Sequence, residues 1–284
     1  MNLEVLAPVK VNLFLEVRER RADGFHEIVT VMEALEFGDM VRVSAAPRLE
    51  VQTDRKDVPE GEGNLAWKII RAAESELGRE LPAAIFIQKK LAPGTGLGAG
   101  SSDAVAALRG VLQLHGLSLA PERMQAIAAR VGSDTAFFVR GGVATCTGRG
   151  EQVAPVAAKG VRHYVLLLSR VSTETAAVYR ALEIVPHQEG PARLLVALSD
   201  GSALCEAMLF NRLSAAAFSV APELGGLQAE ARAMAGRTPQ LSGSGGSLFF
   251  LAKDKADADL LVTTLNVRGD WHALAVHSRA PEMP

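Results

Sequence analysis

The chain has 284 residues, of which 48% are hydrophobic and 22% are charged. This composition is typical of one or two packed globular domains and excludes a disordered or fibrous chain. The 30 basic and 32 acidic residues leave a net charge of −2, which excludes a general electrostatic attraction to nucleic acid or anionic membranes.

The first 52 residues carry strand patterns. Apolar residues occupy the odd positions from Val9 to Val17, so the alternation predicts a strand whose other face carries Lys10 and Asn12. The sequence RADGFHE forms a turn after it. Shorter strands are predicted over residues 28–32, 40–44 and 49–52.

Helices and strands alternate over the next hundred residues, and glycine or proline marks their boundaries. In chain order the predicted elements are helix 64–77, strand 83–88, a helix from 101 to about 115, a helix from 121 to about 132 and a strand within 137–148. Ser101, Ser102 and Asp103 are residue types suited to the start of the second helix.

The segment EQVAPVAAKG lacks periodicity and precedes a strongly apolar strand, so a domain boundary is predicted near Lys159 and Gly160. It divides the chain into residues 1–159 and 160–284. Beyond it the predicted elements are strand 163–169, helices between 173 and 232, a strand within 241–252, helix 254–265 and strand 272–278. Their order is that of an α+β protein.

Cysteine content and hydropathy give an expectation about location. Cys146 and Cys205 form no C-x-x-C motif, which disfavours a disulfide framework and a thiolate zinc site. No apolar run approaches the ~18 residues of a membrane span, and the opening residues lack the pattern of a signal peptide. We therefore expect a cytoplasmic protein with neither a membrane nor a nucleic-acid partner.

Four glycines, Gly94, Gly96, Gly98 and Gly100, alternate directly before a predicted helix start. Without Cβ atoms the backbone can approach a ligand closely, and the helix N-terminus adds partial positive charge. The segment is therefore predicted to hold phosphate groups rather than to act as a linker. The lysine of a Walker A loop, the H-R-D motif of protein kinases and the acidic residue of a dinucleotide-binding fold are all missing.

Lys10 and Asp134 are candidates for chemistry on a phosphate. Each also has a simpler interpretation: Lys10 as an exposed strand lysine, and Asp134 as the N-cap of the apolar TAFFV segment. The sequence does not show whether the two side chains meet, so both interpretations stay open on the residues alone.

Four segments together resemble the GHMP kinases, the superfamily of galactose, homoserine, mevalonate and phosphomevalonate kinases. They are PVKVNLFLEV with RADGFHEI, PGTGLGAGSSDAVAAL, GSDTAFFVRGGVATCTGRGE and LSGSGGSLFF, and they span almost the whole chain. The glycine segment indicates the superfamily. The patterns K-x-N-L-F-L and R-x-D-G-[YF]-H indicate its member family that phosphorylates a cytidine-diphosphate-linked methylerythritol.

The resemblance implies both a fold and a reaction. The fold is a ribosomal-S5-domain-2-like amino-terminal domain and a ferredoxin-like carboxy-terminal domain, with the site in the cleft between them. The reaction is transfer of the ATP γ-phosphoryl group, with Mg²⁺, to the 2-hydroxyl of a small-molecule substrate, the cytidine-diphosphate-linked methylerythritol.

By the same resemblance, Lys10 and Asp134 stand at catalytic positions. The ATP phosphate loop is implied to comprise Ala92, Pro93, Gly94, Thr95, Gly96, Leu97, Gly98, Ala99, Gly100, Ser101 and Ser102, with the last two as the hydroxyls nearest to Mg²⁺. The implied substrate-side positions are Asn12, Phe25, His26, Gly243, Ser244 and Gly245. Tyr179 is added as a second stacking wall for the cytosine.

The chain departs from the family pattern at four places, one of which is Ala136, where a proline often follows the aspartate. Phe25 replaces the usual tyrosine, which keeps a stacking face and loses a hydroxyl. Pro93 comes one position late in the glycine segment, and Ala99 replaces a glycine. These departures concern local loop conformation.

Two alternatives remain at this stage: a GHMP kinase acting on another alcohol such as homoserine or mevalonate, and a noncatalytic nucleotide sensor of the same fold. A sensor has no need of both Lys10 and Asp134, and their joint presence disfavours it.

Overall fold

The computed structural model describes residues 2–185, 190–267 and 270–280. Its strands are β1 (Asn2–Arg20), β2 (His26–Ser44), β3 (Glu50–Thr53), β4 (Ala84–Gln88), β5 (Val143–Thr147), β6 (Gln152–Val156), β7 (His163–Ser169), β8 (Phe210–Asn211), β9 (Gln240–Leu241), β10 (Ser247–Ala252) and β11 (Trp271–His277). Its helices are α1 (Leu65–Leu77), α2 (Ala99–Leu114), α3 (Pro121–Ala129), α4 (Thr135–Phe138), α5 (Thr175–Arg180), α6 (Ala192–Asp200), α7 (Ser214–Val220), α8 (Pro222–Ala235) and α9 (Lys255–Leu265). The predicted α+β class is confirmed.

The first sheet has the strand order β3-β4-β2-β1-β8, and β5 pairs with both β2 and β6. Strand β2 is long enough to pair with β5 through its first part and with β4 through its last part. Helix α2 packs on β1 and β2, and α1 packs on α2. The buried faces of these elements form one core that contains Ile69, Ile85 and Leu108.

Helix α1 shows how local sequence signals set element boundaries. The side chain of Asn64 accepts a hydrogen bond from the Ala66 N–H at 2.8 Å, and Gly78 ends the helix with a φ of 64°. An asparagine N-cap is a strong start signal for a helix, and a left-handed glycine is a strong stop signal. The predicted helix over 64–77 is confirmed for this reason.

Strand β1 changes its apolar face at a bulge. Leu13 is an extra residue without a pairing partner in β2. The odd positions before it belong to one core cluster, whereas Leu15 and Val17 after it belong to another. The predicted alternation through Val17 is therefore wrong beyond Leu13, because an inserted residue exchanges the faces. Leu15 consequently lies on the same cavity-lining side as Lys10 and Asn12.

The predicted strand within 137–148 is wrong in its first part. Phe137 and Phe138 lie in the short helix α4 and are buried, and the strand begins only at Val143. Gly141 and Gly142 have φ values of 61° and 64° and separate the two elements. Aromatic residues favour strands in general, but here packing of both rings in the core around α2 outweighs that preference.

The second sheet has the order β11-β7-β10-β9, with antiparallel pairing throughout. Helix α9 packs on β7 and β11. The predicted strands over 163–169 and 272–278 and the helix over 254–265 are confirmed to within one residue at each end. No helix in the described part of the chain is long and apolar enough to cross a membrane.

Several contacts join the two halves of the chain across the predicted boundary near residue 159, which itself stays a prediction. Strand β8 pairs in parallel with β1, so a segment from the second half completes the first sheet. Arg212, directly after β8, donates to both carboxylate oxygens of Glu16 at 2.8 and 3.0 Å. On the other side, the buried Glu33 accepts from Arg162 at 2.7 Å and from the Tyr164 hydroxyl. These ion pairs are largely buried, so breaking either one would leave an uncompensated charge.

Candidate active site

A cavity of about 1180 Å³ collects most of the predicted site residues. Residues from β1, the turn before β2, the glycine segment, the start of α4, α5 and the 243–246 loop contribute to its wall. The predicted residues that line it are Lys10, Asn12, Phe25, His26, Ala92, Pro93, Gly94, Thr95, Gly96, Gly98, Ala99, Gly100, Ser101, Asp134, Tyr179, Gly243 and Ser244. Leu97 and Ser102 point instead into the protein interior, and Gly245 packs against the glycine segment.

The glycine segment is held by the second glycine-rich loop, residues 242–247. The Gly246 N–H donates to the Gly94 carbonyl oxygen, and the Ser247 N–H donates to that of Thr95, both at 3.0 Å. A Cβ atom on Gly96 would lie 2.1 Å from the Ser242 carbonyl oxygen. Close packing between loops therefore requires this glycine, in addition to any approach of the backbone to a ligand.

Gly98 has a similar constraint. Its φ is 73°, and an added Cβ would lie 2.9 Å from a ring carbon of Phe138 and 3.2 Å from Cε of Lys10. A branched side chain at this position would strain the backbone and displace the core. The alternating spacing predicts that Gly96 and Gly98 face a ligand, and the structure shows that both are also required for packing.

Helix α2 directs its N-terminus into the cavity. The helix begins at Ala99 after the left-handed Gly98, two residues before its predicted start. Ala99, Gly100 and Ser101 line the cavity. The N–H groups of a first helical turn have no partners within the helix and carry partial positive charge, an arrangement suited to phosphate oxygens.

Lys10 and Asp134 meet in the cavity, although 124 positions separate them. The Lys10 Nζ lies 3.3 Å from Oδ2 of Asp134, and it donates to the Asn12 Oδ1 at 2.6 Å and to the Gly96 carbonyl oxygen at 2.8 Å. Lys10 is 2% exposed, whereas the Asp134 side chain is 33% exposed. The ammonium group therefore holds a fixed position, and the carboxylate faces the cavity. Asp134 makes no side-chain capping bond to α4.

Thr30 fixes the amide of Asn12. The Asn12 Nδ2 donates to the Thr30 hydroxyl at 2.9 Å, which in turn donates to the Phe14 carbonyl oxygen at 2.7 Å. This chain of bonds orients the Asn12 Oδ1 toward Lys10. Thr30 was not predicted from the sequence, because its strand pattern gives no sign of a polar partner.

An aromatic wall closes the end of the cavity near the RADGFHE turn. The rings of His26 and Tyr179 stack with centroids 5.3 Å apart and an interplanar angle of 29°. Burial, together with the charge of Arg20, lowers the pKa of His26, so its ring is neutral at neutral pH. Phe25 is 48% exposed, and the Arg149 guanidinium lies 5.1 Å from its ring centroid. Arg149 was also not predicted.

A buried charge cluster lies under the start of α2. The Lys89 Nζ contacts carboxylate oxygens of both Asp39 and Asp103, the latter at 2.6 Å, and all three side chains are at most 4% exposed. The Asp103 Oδ1 has no hydrogen-bond partner among the described residues. Burial, opposed by Lys89 and reinforced by the charge of Asp39, raises the pKa of Asp103 to about 7. Asp103 is thus a core residue rather than a helix cap.

This cluster predicts a pH-dependent gain in stability from Asp103→Asn. Between an unfolded pKa of about 3.9 and the folded value, only the folded chain binds the Asp103 proton. The contribution of this group to the free energy of unfolding therefore falls as pH rises and is lost above pH 7. We therefore expect the free energy of unfolding of Asp103→Asn, relative to that of wild type, to increase by at least about 1 kcal/mol from pH 5 to pH 8. Melting curves at both pH values measure it, and a constant difference contradicts it.

The donor atoms at the cavity fit Mg²⁺ only together with phosphates. No group of three or more His, Cys, Asp or Glu residues in the described ranges could hold a metal ion. Among the described residues, the hydroxyls of Ser102 and Thr135 are buried without hydrogen-bond partners. Ser101 lines the cavity, and its hydroxyl lies on the same side of Gly132 as that of Thr135. Mg²⁺ prefers oxygen ligands, keeps several waters and commonly binds through substrate phosphates with one or two protein oxygens.

Comparison with known proteins places this geometry in a family. Residues 64–142 match the model of the GHMP kinases N terminal domain. The 4-diphosphocytidyl-2-C-methyl-D-erythritol kinase of Saccharopolyspora erythraea is 40% identical to the chain over 92% of it and 86% of the relative. That of Rhodococcus jostii is 38% identical over 91% of the chain and 86% of the relative.

The chain belongs to the 4-diphosphocytidyl-2-C-methyl-D-erythritol kinase family. A solved structure titled as 4-(cytidine 5'-diphospho)-2C-methyl-D-erythritol kinase matches with a TM-score of 0.79 and 30% identity, covering 97% of this chain and 99% of that one. A homoserine kinase from Cytophaga hutchinsonii matches with a TM-score of 0.77 but only 18% identity, over 99% of this chain and 95% of that one. The second likeness shows a shared fold alone. Membership of the 4-diphosphocytidyl-2-C-methyl-D-erythritol kinase family thus confirms the predicted GHMP kinase fold, and the homoserine kinase and sensor alternatives are not favoured.

Proposed function

We propose that the chain transfers the γ-phosphoryl group of ATP to the 2-hydroxyl of 4-diphosphocytidyl-2-C-methyl-D-erythritol. The observation that carries the proposal is the contact between Lys10 and Asp134 at 3.3 Å. Lys10 also donates to the carbonyl oxygen of Gly96, in the glycine loop that leads into the N-terminus of α2. A buried cation, an accessible carboxylate and a phosphate cradle are the parts that phosphoryl transfer to an alcohol requires. Membership of the kinase family supports the same reaction.

The ATP phosphates are assigned to the loop of residues 92–102. The first-turn N–H groups of α2 supply donors, and the left-handed glycines keep the loop backbone toward the cavity. Mg²⁺ would neutralise charge on the phosphate oxygens, and the hydroxyl of Ser101, which unlike the buried Ser102 lines the cavity, is the protein oxygen assigned to hold it. The remaining work of the site is alignment and charge stabilisation.

In the transfer step the substrate 2-hydroxyl oxygen forms a bond to the γ-phosphorus while the bond to the β,γ-bridging oxygen breaks and ADP leaves. The hydroxyl proton passes to the Asp134 carboxylate. Because an alcohol is far less acidic than a carboxylic acid, the proton moves late, once the new P–O bond has begun to form. Lys10 offsets negative charge on the reacting oxygens and on Asp134.

The substrate's cytosine is assigned to the aromatic wall. Phe25 offers a stacking face, and the neutral His26 can both donate and accept a hydrogen bond at the base edge. Tyr179, predicted from the sequence as a second stacking wall for the cytosine, stacks in the structure on the ring of His26 and supports it. Asn12, Gly243 and Ser244 are assigned to the part of the substrate nearest the reacting hydroxyl, whereas Gly245 supports the glycine segment from outside the cavity. In this arrangement residues 1–159 supply the ATP loop, and residues 160–284 supply Tyr179 and the 243–246 loop on the substrate side.

A coupled assay tests the proposal. ADP release is measured with the CDP-linked alcohol, with homoserine and with mevalonate at equal concentrations. We expect turnover with the CDP-linked alcohol and at least a hundredfold lower kcat/KM with the other two, because neither fills the aromatic wall. Preferred turnover of homoserine or mevalonate contradicts the proposal. Nucleotide binding without ADP release in the presence of any of the three alcohols indicates a sensor.

Gly100→Ala separates ATP binding from folding. An added Cβ at Gly100 meets only Leu65, at 3.7 Å, and otherwise points to open space at the cavity wall. We expect a rise in the KM for ATP of about tenfold, because the methyl group obstructs phosphates at the first turn of α2. Alanine in a helix is favoured over glycine by about 0.5–1 kcal/mol, so the melting temperature should hold or rise.

Steady-state kinetics and a melting curve on the same preparation measure both effects. Gly116→Ala is the control for a glycine change outside the cavity, where φ is 64° and no atom lies within 4 Å of the added Cβ. This control should lose stability and keep its KM for ATP. An unchanged KM in Gly100→Ala would remove the first turn of α2 from phosphate binding.

A further inference from the structure

Arg149 covers one side of the Phe25 ring. Its guanidinium lies 5.1 Å from the ring centroid, within the distance at which a cation is attracted to an aromatic face. Phe25 nevertheless remains 48% exposed and lines the cavity. A planar base can therefore still reach the ring while Arg149 supports it.

Several contacts hold Arg149 in this place. It lies in the tight turn between β5 and β6, where its N–H donates to Glu151 Oε2 at 2.8 Å. Its Nη2 donates to the Ala129 carbonyl oxygen at 2.8 Å, at the C-terminal end of α3, where a cation is favoured. The side chain is 32% exposed, and its ion pair with Glu151 is long, at 4.0 Å. Glu151 therefore compensates the positive charge of the guanidinium only weakly.

The turn that carries Arg149 is also bound to the turn that carries Phe25. Glu27 accepts from the Gly148 N–H at 3.0 Å, and the Ile28 N–H donates to the Gly148 carbonyl oxygen at 2.8 Å. Glu27 also accepts from Arg21 at 2.7 Å. The ring and the guanidinium thus belong to one hydrogen-bonded unit, and their contact does not depend on two independently mobile surface side chains.

We propose that Arg149 is a specificity-determining residue for the phosphoryl acceptor: it supports Phe25 as a stacking platform for the pyrimidine and attracts the acceptor's anionic diphosphate. This inference rests on the proposed function. A guanidinium over one ring face keeps the ring oriented, and its charge lies in the cavity wall beside the ring assigned to the cytosine, where it attracts the diphosphate attached to the nucleoside.

The test compares kinetics of wild type, Arg149→Leu and Arg149→Lys. For Arg149→Leu we expect the KM for the CDP-linked alcohol to rise about tenfold, in the range of one partly buried cation–π contact, with kcat and the KM for ATP changed less than about twofold. Arg149→Lys should recover part of the loss, because it keeps the charge without the planar group. Arg48→Leu, which removes an exposed arginine outside the cavity, is the control and should match wild type.

Coupling to Phe25 distinguishes this role from a structural one. Phe25→Ala alone should raise the KM for the CDP-linked alcohol by about 5- to 150-fold, the range for one lost base stack. Adding Arg149→Leu to it should then raise KM by clearly less than in the wild-type background. Equal losses in both backgrounds, or equal effects on the KM values of both substrates, would overturn the inference.

Failure of the proposed function has a different signature. If wild type releases no ADP with the CDP-linked alcohol, the proposed function is wrong, and the inference fails with it. If wild type turns over and Arg149→Leu has an unchanged KM with an unchanged melting temperature, the inference alone is wrong.

Discussion

Asp134→Asn is expected to lower kcat by at least about a hundredfold while the KM for ATP stays within a few-fold of wild type. Asparagine has nearly the same shape as aspartate but accepts no proton, and it provides no negative charge opposite Lys10. Because Asp134 is partly exposed and makes no capping bond, the fold should tolerate the change. Steady-state ADP release with the CDP-linked alcohol measures the effect.

The matched control for this variant is Asp259→Asn. Asp259 is exposed on α9, where its side chain pairs with Lys255, four residues earlier. The same chemical change outside the cavity should leave kcat and both KM values unchanged. Near-normal turnover by Asp134→Asn would remove this carboxylate from the mechanism.

Lys10→Met is expected to lower kcat by about 10²–10³-fold, the scale for loss of one preorganised electrostatic group. Methionine nearly fills the volume but leaves Asp134, Asn12 and the Gly96 carbonyl oxygen without their shared donor. The buried Asn12 and Gly96 acceptors then lose a hydrogen bond each, so a lower melting temperature should accompany the loss of activity. Lys255→Met, at an exposed lysine, is the control and should change neither quantity.

A double variant shows whether Lys10 and Asp134 act as a unit. If they do, Asp134→Asn combined with Lys10→Met should be no more than slightly less active than the worse single variant. Multiplicative losses would mean that the two residues contribute independently. Such a result would contradict the 3.3 Å contact as the basis of their action.

The sequence was most informative where short-range signals agree. Asn64 and Gly78 mark both ends of α1, and the alternating glycines before an apolar helix give the loop and α2. These features depend on residues within a turn or two of each other, so local chemistry determines them. The same applies to the strand that carries Lys10, up to its bulge.

The rest depends on contacts between distant residues. The approach of Asp134 to Lys10 and the union of Lys89 with Asp39 and Asp103 require the complete sheet and helix packing. Each charged residue viewed alone has a common surface interpretation, and the sequence offers no signal for its partner. For the same reason Arg149 could not be recognised before the turn at Phe25 and the turn after β5 were seen side by side.

The parallel pairing of β8 with β1 has a consequence for how the protein is made. A ribosome releases the residues of β1 first, yet the strand beside it comes from Phe210 and Asn211. Until roughly three quarters of the chain has emerged, the edge of β1 at Phe14 and Leu15 lacks its strand partner, and Leu15 and Val17 lack their later core neighbours. The nascent chain thus passes through a stage in which this part of β1 is an open edge, and the cavity lining is completed only when Gly243 and Ser244 have been made.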